Sequence, residues 1–69
     1  MKYKKHYDMT GHVMSYEAEN GYTIKGNGGR SIWGGWLPSD FWYVYDPNGE
    51  RVTGFEHFKE CKAYVEALD

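Results

Sequence analysis

Sixty-nine residues make a single domain, and a chain of this length hides only about 60% of the surface its unfolded form exposes, so its stability is marginal. The formal net charge of −2 is uneven, with five Lys/Arg against three acids in residues 1–35 and three against seven in residues 36–69; no run forms the basic stripe that counterion release on nucleic acid requires, and the acidity falls short of a DNA mimic. The one cysteine, Cys61, excludes an internal disulfide, and no apolar stretch approaches the roughly 18 residues of a membrane span.

Three Trp, seven Tyr and three Phe supply rings that each bury about 150–250 Å², and they stand in for the long core the chain lacks. A homodimer is one way to bury the surplus. Residues 1–11 are polar, with Tyr3, Tyr7 and Met9 interspersed and Gly11 closing the segment, which reads either as a frayed tail or as an edge strand. Met1 to His6 has the charge of a signal-peptide n-region, but no apolar run of about seven residues follows it. With an unpaired Cys61, the expectation is a cytosolic protein with no membrane partner.

His12 to Glu19 alternates as a half-buried strand, with Met14, Tyr16 and Ala18 on one face and Val13, Ser15 and Glu17 on the other. Asn20-Gly21 predicts a type I′ turn with both residues at positive φ, and Tyr22 to Lys25 returns as a strand. From Gly26 to Asp40 the period vanishes: glycines punctuate Ile32, Trp33, Trp36 and Leu37, and Pro38 blocks a helix. This predicts a Gly/Trp loop, with a short strand at Ser31 to Trp33 as an option and Gly28 in a part with room to adjust.

Phe41 to Tyr45 is apolar on both faces, Phe41, Tyr43 and Tyr45 on one and Trp42 and Val44 on the other, as a central strand requires. One face is expected to meet a helix and the other to need a cover. Asp46-Pro47-Asn48-Gly49 puts Pro where φ is preset and Gly at a left-handed bulge position, turning the chain into a return strand, Glu50 to Thr53. A helix is expected from about residue 56 to Leu68, capped by Thr53-x-x-Glu56 or by His57-x-x-Glu60. Phe58, Cys61, Val65 and Leu68, with Tyr64 flanking, form its buried stripe, while Lys59, Glu60, Lys62, Ala63 and Glu66 face out. No repeat or low-complexity tract is legible. The fold class is therefore α+β: a small antiparallel sheet of three to five strands with one C-terminal helix packed on a face.

The pattern Trp42-x-Val44-x-Asp46-x-x-Gly49, then Gly54-Phe55, then Lys59-Glu60-Cys61-x-x-Tyr64, resembles small bacteriophage and prophage accessory proteins. It also looks loosely like the arm-binding domain at the N-terminus of phage-type integrases. The resemblance covers about 28 residues at the C-terminal end, and it implies a sheet packed on one C-terminal helix and, in the arm domains, a basic strand face laid on DNA. Here that strand pair offers Tyr43, Tyr45, Glu50 and a single Arg51, and His57 stands where the family usually has a Ser or Thr cap.

His57 and Cys61 have the i, i+4 spacing of two metal ligands, but Cys61 lies on the apolar stripe, where a thiol acts as a small hydrophobe. Asn27-Gly28-Gly29-Arg30 follows a strand as a phosphate cradle does, yet it lacks a Gly-Lys-Ser/Thr and a following helix. No nucleophile elbow or triad spacing is present, and a pocket of about 300 Å³ is hard to enclose in 8.1 kDa. The reading is a non-catalytic protein with no cofactor and no metal. Trp33-Gly34-Gly35-Trp36 is either an aromatic cover on the open sheet face or, with Tyr43, Tyr45 and Arg30, a partner-binding patch of the residue types that dominate interface hot spots. One Trp packing inward and the other outward is the favoured arrangement. The functional expectation is a small phage-type binding protein docking on a host or phage protein, with inhibition of a host defence as one role. The alternative is a nucleic-acid-binding module like the integrase arm domain.

Overall fold

The computed structural model describes residues 1–9, 11–30 and 33–68, with Arg30 and Trp36 described in their backbone alone. The optional strand at 31–33 falls mostly outside these residues; Trp33 itself lies in a turn. Among the described residues seven strands and one helix follow in order: β1 (Tyr3–Tyr7), β2 (Val13–Ala18), β3 (Thr23–Gly26), β4 (Gly29–Arg30), β5 (Trp36–Leu37), β6 (Trp42–Tyr45), β7 (Arg51–Phe55) and α1 (Phe58–Ala67). Five of them pair antiparallel in the order β1-β2-β3-β6-β7, while β4 and β5 form a separate two-stranded ladder between β3 and β6. The expected α+β architecture is the observed one, and residues 3–7 are an edge strand rather than a tail.

Three hairpins of the main sheet use one loop design. In each, the residue at or just past the strand end donates its N–H across the loop (Asp8 to His12 O, Ala18 to Tyr22 O, Asp46 to Glu50 O, at 2.8, 2.7 and 2.8 Å) and the loop ends in a glycine. Those glycines, Gly11, Gly21 and Gly49, have φ of 91, 94 and 88°, while no non-glycine residue has a positive φ. The Asn20-Gly21 turn is thus not type I′, which would hold Asn20 at positive φ; it is a longer loop closed by a left-handed glycine, the alternative suited to strand twist. Asp8 and Asp46 reinforce their loops identically, each Oδ1 accepting the N–H four residues on at 2.9 Å. The two Asp hairpins also carry a matching bulge, opposite His6/Tyr7 in β2 and opposite Val44/Tyr45 in β7. A bulge leaves its residue out of the face alternation. Met14, expected to share a face with Tyr16 and Ala18, is consequently exposed.

Row by row, the register places Tyr16, Ile24, Val44 and Thr53 side by side on one face, with Ala18, Trp42 and Phe55 beside them. The helix lies on this face. Ile24, Val44, Cys61 and Val65 are fully buried and Ala18 nearly so, and a buried Val or Ile contributes about 1.5–3 kcal/mol each. Rings complete the core where aliphatics run out: Phe58 sits 4.6 Å from Tyr16 and 5.0 Å from Trp42, and Phe55 lies 5.8 Å from Tyr64, all tilted. Trp42 and Val44 are accordingly the helix-facing pair of the central strand.

The helix departs from expectation at both ends. It starts at Phe58 because Thr53 and Phe55 belong to β7, so no Thr53-Glu56 capping box forms. His57 takes the N-cap position with extended φ/ψ and no side-chain cap hydrogen bond, its carbonyl accepting the N–H groups of Glu60 and Cys61. Leu68, counted on the buried stripe, lies beyond the last helical residue and is 47% exposed. Instead the helix end is fastened by Asn20, whose Nδ2 donates to Val65 O at 3.1 Å. Among the described residues no helix is long and apolar enough to cross a membrane.

Candidate binding face

The face turned away from α1 is built by the same register. One row runs Lys4, Glu17, Thr23, Tyr45, Arg51 and the next His6, Ser15, Lys25, Tyr43, Gly54. Gly54 has no side chain, and Phe41 fills the gap: a Cβ on Gly54 would lie 2.5 Å from the Phe41 ring. Phe41 stands 5.2 Å from Tyr43, so Phe41, Tyr43 and Tyr45 form a file of half-buried rings along β6, next to the β7 edge.

Cations flank that file from both neighbouring strands. Lys25 of β3 places its Nζ 5.8 Å from the Tyr45 ring centre, and Arg51 of β7 places its guanidinium 5.2 Å from that of Tyr43. Such cation–π contacts at exposed sites are worth about 0.5–1 kcal/mol. Lys4 adds a third cation toward the β1 edge. Glu17 is the one carboxylate in the two rows, and it is engaged by His6 Nε2 at 2.9 Å. Asp46 borders the face at the hairpin end, its Oδ1 already accepting the N–H groups of Asn48 and Glu50.

The Gly/Trp segment is more ordered than a loop. Asn27 clasps its neck: its Oδ1 accepts the Asp40 and Phe41 N–H groups at 3.0 and 3.2 Å, and its Nδ2 donates to Asp40 Oδ1 at 2.6 Å. Gly28 donates to Ser39 Oγ at 2.9 Å, and a Cβ there would meet Leu37 O at 2.5 Å and Ser39 N at 2.7 Å, so the expected room at Gly28 does not exist. Arg30 and Trp36 pair in the β4–β5 ladder; their side chains, both expected in a binding patch, lie outside the described residues. Trp33 is 90% exposed and therefore does not cover the core.

Beside this neck an open groove of about 410 Å³ runs past Met9, Met14, Lys25, Gly28 and Trp42. It is open rather than enclosed. Burial pushes the Cys61 thiol pKa up, an effect only partly offset by a hydrogen bond with the Phe55 backbone, as suits a core hydrophobe. Among the described residues no three His, Cys, Asp or Glu side chains gather in a metal-binding group.

Compared with protein-family models, curated proteins and solved structures, the chain has no match in any of the three.

Proposed function

We propose that this chain is a non-catalytic cytosolic binding module that takes nucleic acid on the sheet face opposite its helix. One observation carries the reading: the strand register gathers Lys4, Lys25 and Arg51 beside Tyr43 and Tyr45, with Glu17 in the same rows and Asp46 at their hairpin end, in a chain whose net charge is −2. Cations that are scattered in sequence thus share a surface with half-buried aromatic rings, the pairing that polyanions with aromatic bases exploit. A phage or mobile-element origin rests on the likeness of the Trp42–Tyr64 segment to small phage proteins and integrase arm domains alone. Retention on mixed-sequence DNA and on heparin at low salt, with release at moderate salt, is the expected result. A protein that passes through both columns at low salt sinks the reading.

The exposure of Trp33 favours a second reading, docking on a host or phage protein, with inhibition of a host defence as one such role. In that case Trp33→Ala leaves the melt unchanged and weakens self-association or binding to a purified partner by about 2 kcal/mol or more, roughly thirtyfold. Unchanged association excludes it.

A further inference from the structure

Resting on the nucleic-acid reading, we infer that the ligand of the open face is a single strand, laid along β6 with unstacked bases on Tyr43 and Tyr45 and phosphates at Lys25 and Arg51. Two lengths separate a single strand from a duplex. Five strands at about 4.8 Å spacing make a sheet roughly 19 Å across, whereas the major groove of a DNA duplex is about 12 Å wide and admits a two-stranded ribbon. The full sheet does not enter it. Along β6, residues two apart are about 6.8 Å from each other, twice the roughly 3.4 Å rise per base of a duplex strand. Consecutive rings of the file can therefore receive consecutive bases only when those bases have parted from one another.

The chemistry of the face agrees with the lengths. Phe41, Tyr43 and Tyr45 offer π-faces rather than the paired donors and acceptors that read base edges. The cations come from β3 and β7, on either side of β6, so the aromatic file is a central track with a positive charge along each margin. Lys25 and Arg51 are both exposed. Swinging either side chain outward uncovers a ring for a base and carries its charge to the adjoining phosphate.

The test is fluorescence anisotropy with a labelled oligothymidine of about ten nucleotides and with the same strand annealed to its complement. The single strand is expected to bind at least about tenfold tighter than the duplex at equal salt. Tyr43→Leu or Tyr45→Leu should weaken it between about fivefold and a hundredfold per ring, while Tyr45→Phe, which keeps the stack, should bind as the parent does. Lys25→Gln and Arg51→Gln alter exposed positions, and each should flatten the log–log salt dependence by about 0.7. Should a Tyr→Leu variant fail to fold, these two still decide the matter: salt slopes equal to the parent's overturn the inference. Duplex bound as tightly as single strand overturns it while leaving nucleic-acid binding intact. Failure of both forms to bind at low salt overturns the broader reading as well. Displacement of the oligonucleotide by polyglutamate at equal charge concentration would assign the face to an acidic protein and likewise overturn the proposal.

Discussion

Single residues in this domain are constrained mainly by what stands a few ångströms away. A Cβ at Gly28 would be driven into the backbone of Leu37 and Ser39, at 2.5 and 2.7 Å, whereas one at neighbouring Gly29 meets nothing within 4 Å. Gly28→Ala should therefore cost about 1–3 kcal/mol, as overpacking does, and Gly29→Ala close to nothing; paired thermal melts check this, and equal melts refute it. Tyr3 is held differently, by charge. Its hydroxyl donates to Glu66 Oε2 at 3.3 Å while the Lys62 ammonium sits 5.3 Å from its ring centre. Burial first, then the Glu66 charge and the hydrogen bond, push its pKa up from 10.0 to about 12. Above the ordinary value the unfolded chain gives up a proton that the folded chain retains, so this contribution to stability is whole below pH 10 and is lost as pH rises to about 12. Melts across that alkaline window should fall more steeply for the parent than for Tyr3→Phe; parallel curves would discount the Glu66 contact.

Elements are specified by short local signals, and their limits by competition between neighbours. The periodicity of Phe58, Cys61 and Val65 marks the buried face of α1 correctly because one apolar stripe must lie on the sheet. Leu68 continues the count but not the helix, which ends at Ala67. Val65→Ala, at a fully buried position, should cost about 2 kcal/mol or more in lost transfer energy and cavity, and so lower the melting temperature by roughly 10 °C in a domain of this size. Leu68→Ala, half exposed, should stay within about 0.5 kcal/mol of the parent. If the two variants melt alike, the stripe has been assigned to the wrong residues. At the start of the helix, strand pairing outcompetes capping: Thr53 of β7 pairs with Val44 of β6 and cannot also serve as a cap.

At the scale of the molecule, the sheet and helix form one cooperative body, and the β4–β5 ladder is an appendage held at its neck. β3 and β6 lie between other strands and beneath α1, while β4 and β5 pair with each other alone. Amide hydrogen exchange tracks such differences in local opening. The amides of Ile24 and Val44 should therefore be the slowest to exchange and those of the β4–β5 pair among the fastest. Comparable protection in both would mean that the appendage packs on the body. Charge is unevenly spread at this scale: Lys4, Lys25 and Arg51 share the open face with Glu17, while Glu56, Lys59, Glu60 and Glu66 lie exposed around the helix. A mainly cationic surface thereby exists on a chain of small opposite net charge.

The α+β class, the aromatic strand, the left-handed Gly49 and the Phe58, Cys61 and Val65 stripe of the helix were legible in the sequence, because each rests on residues close together along the chain. The Asp46–Gly49 turn and the alternation of Phe41 to Tyr45 were legible for that reason. What depends on strand register emerged from the fold alone. It placed Lys4 and Lys25 on the same surface as Tyr43, Tyr45 and Arg51, turned the bulged Met14 outward, and denied Thr53 to the helix. It also put Trp33 at the surface instead of over the core and closed the space around Gly28. A pairing between strands far apart in sequence fixes which side chains share a face, and composition and spacing carry no record of that pairing.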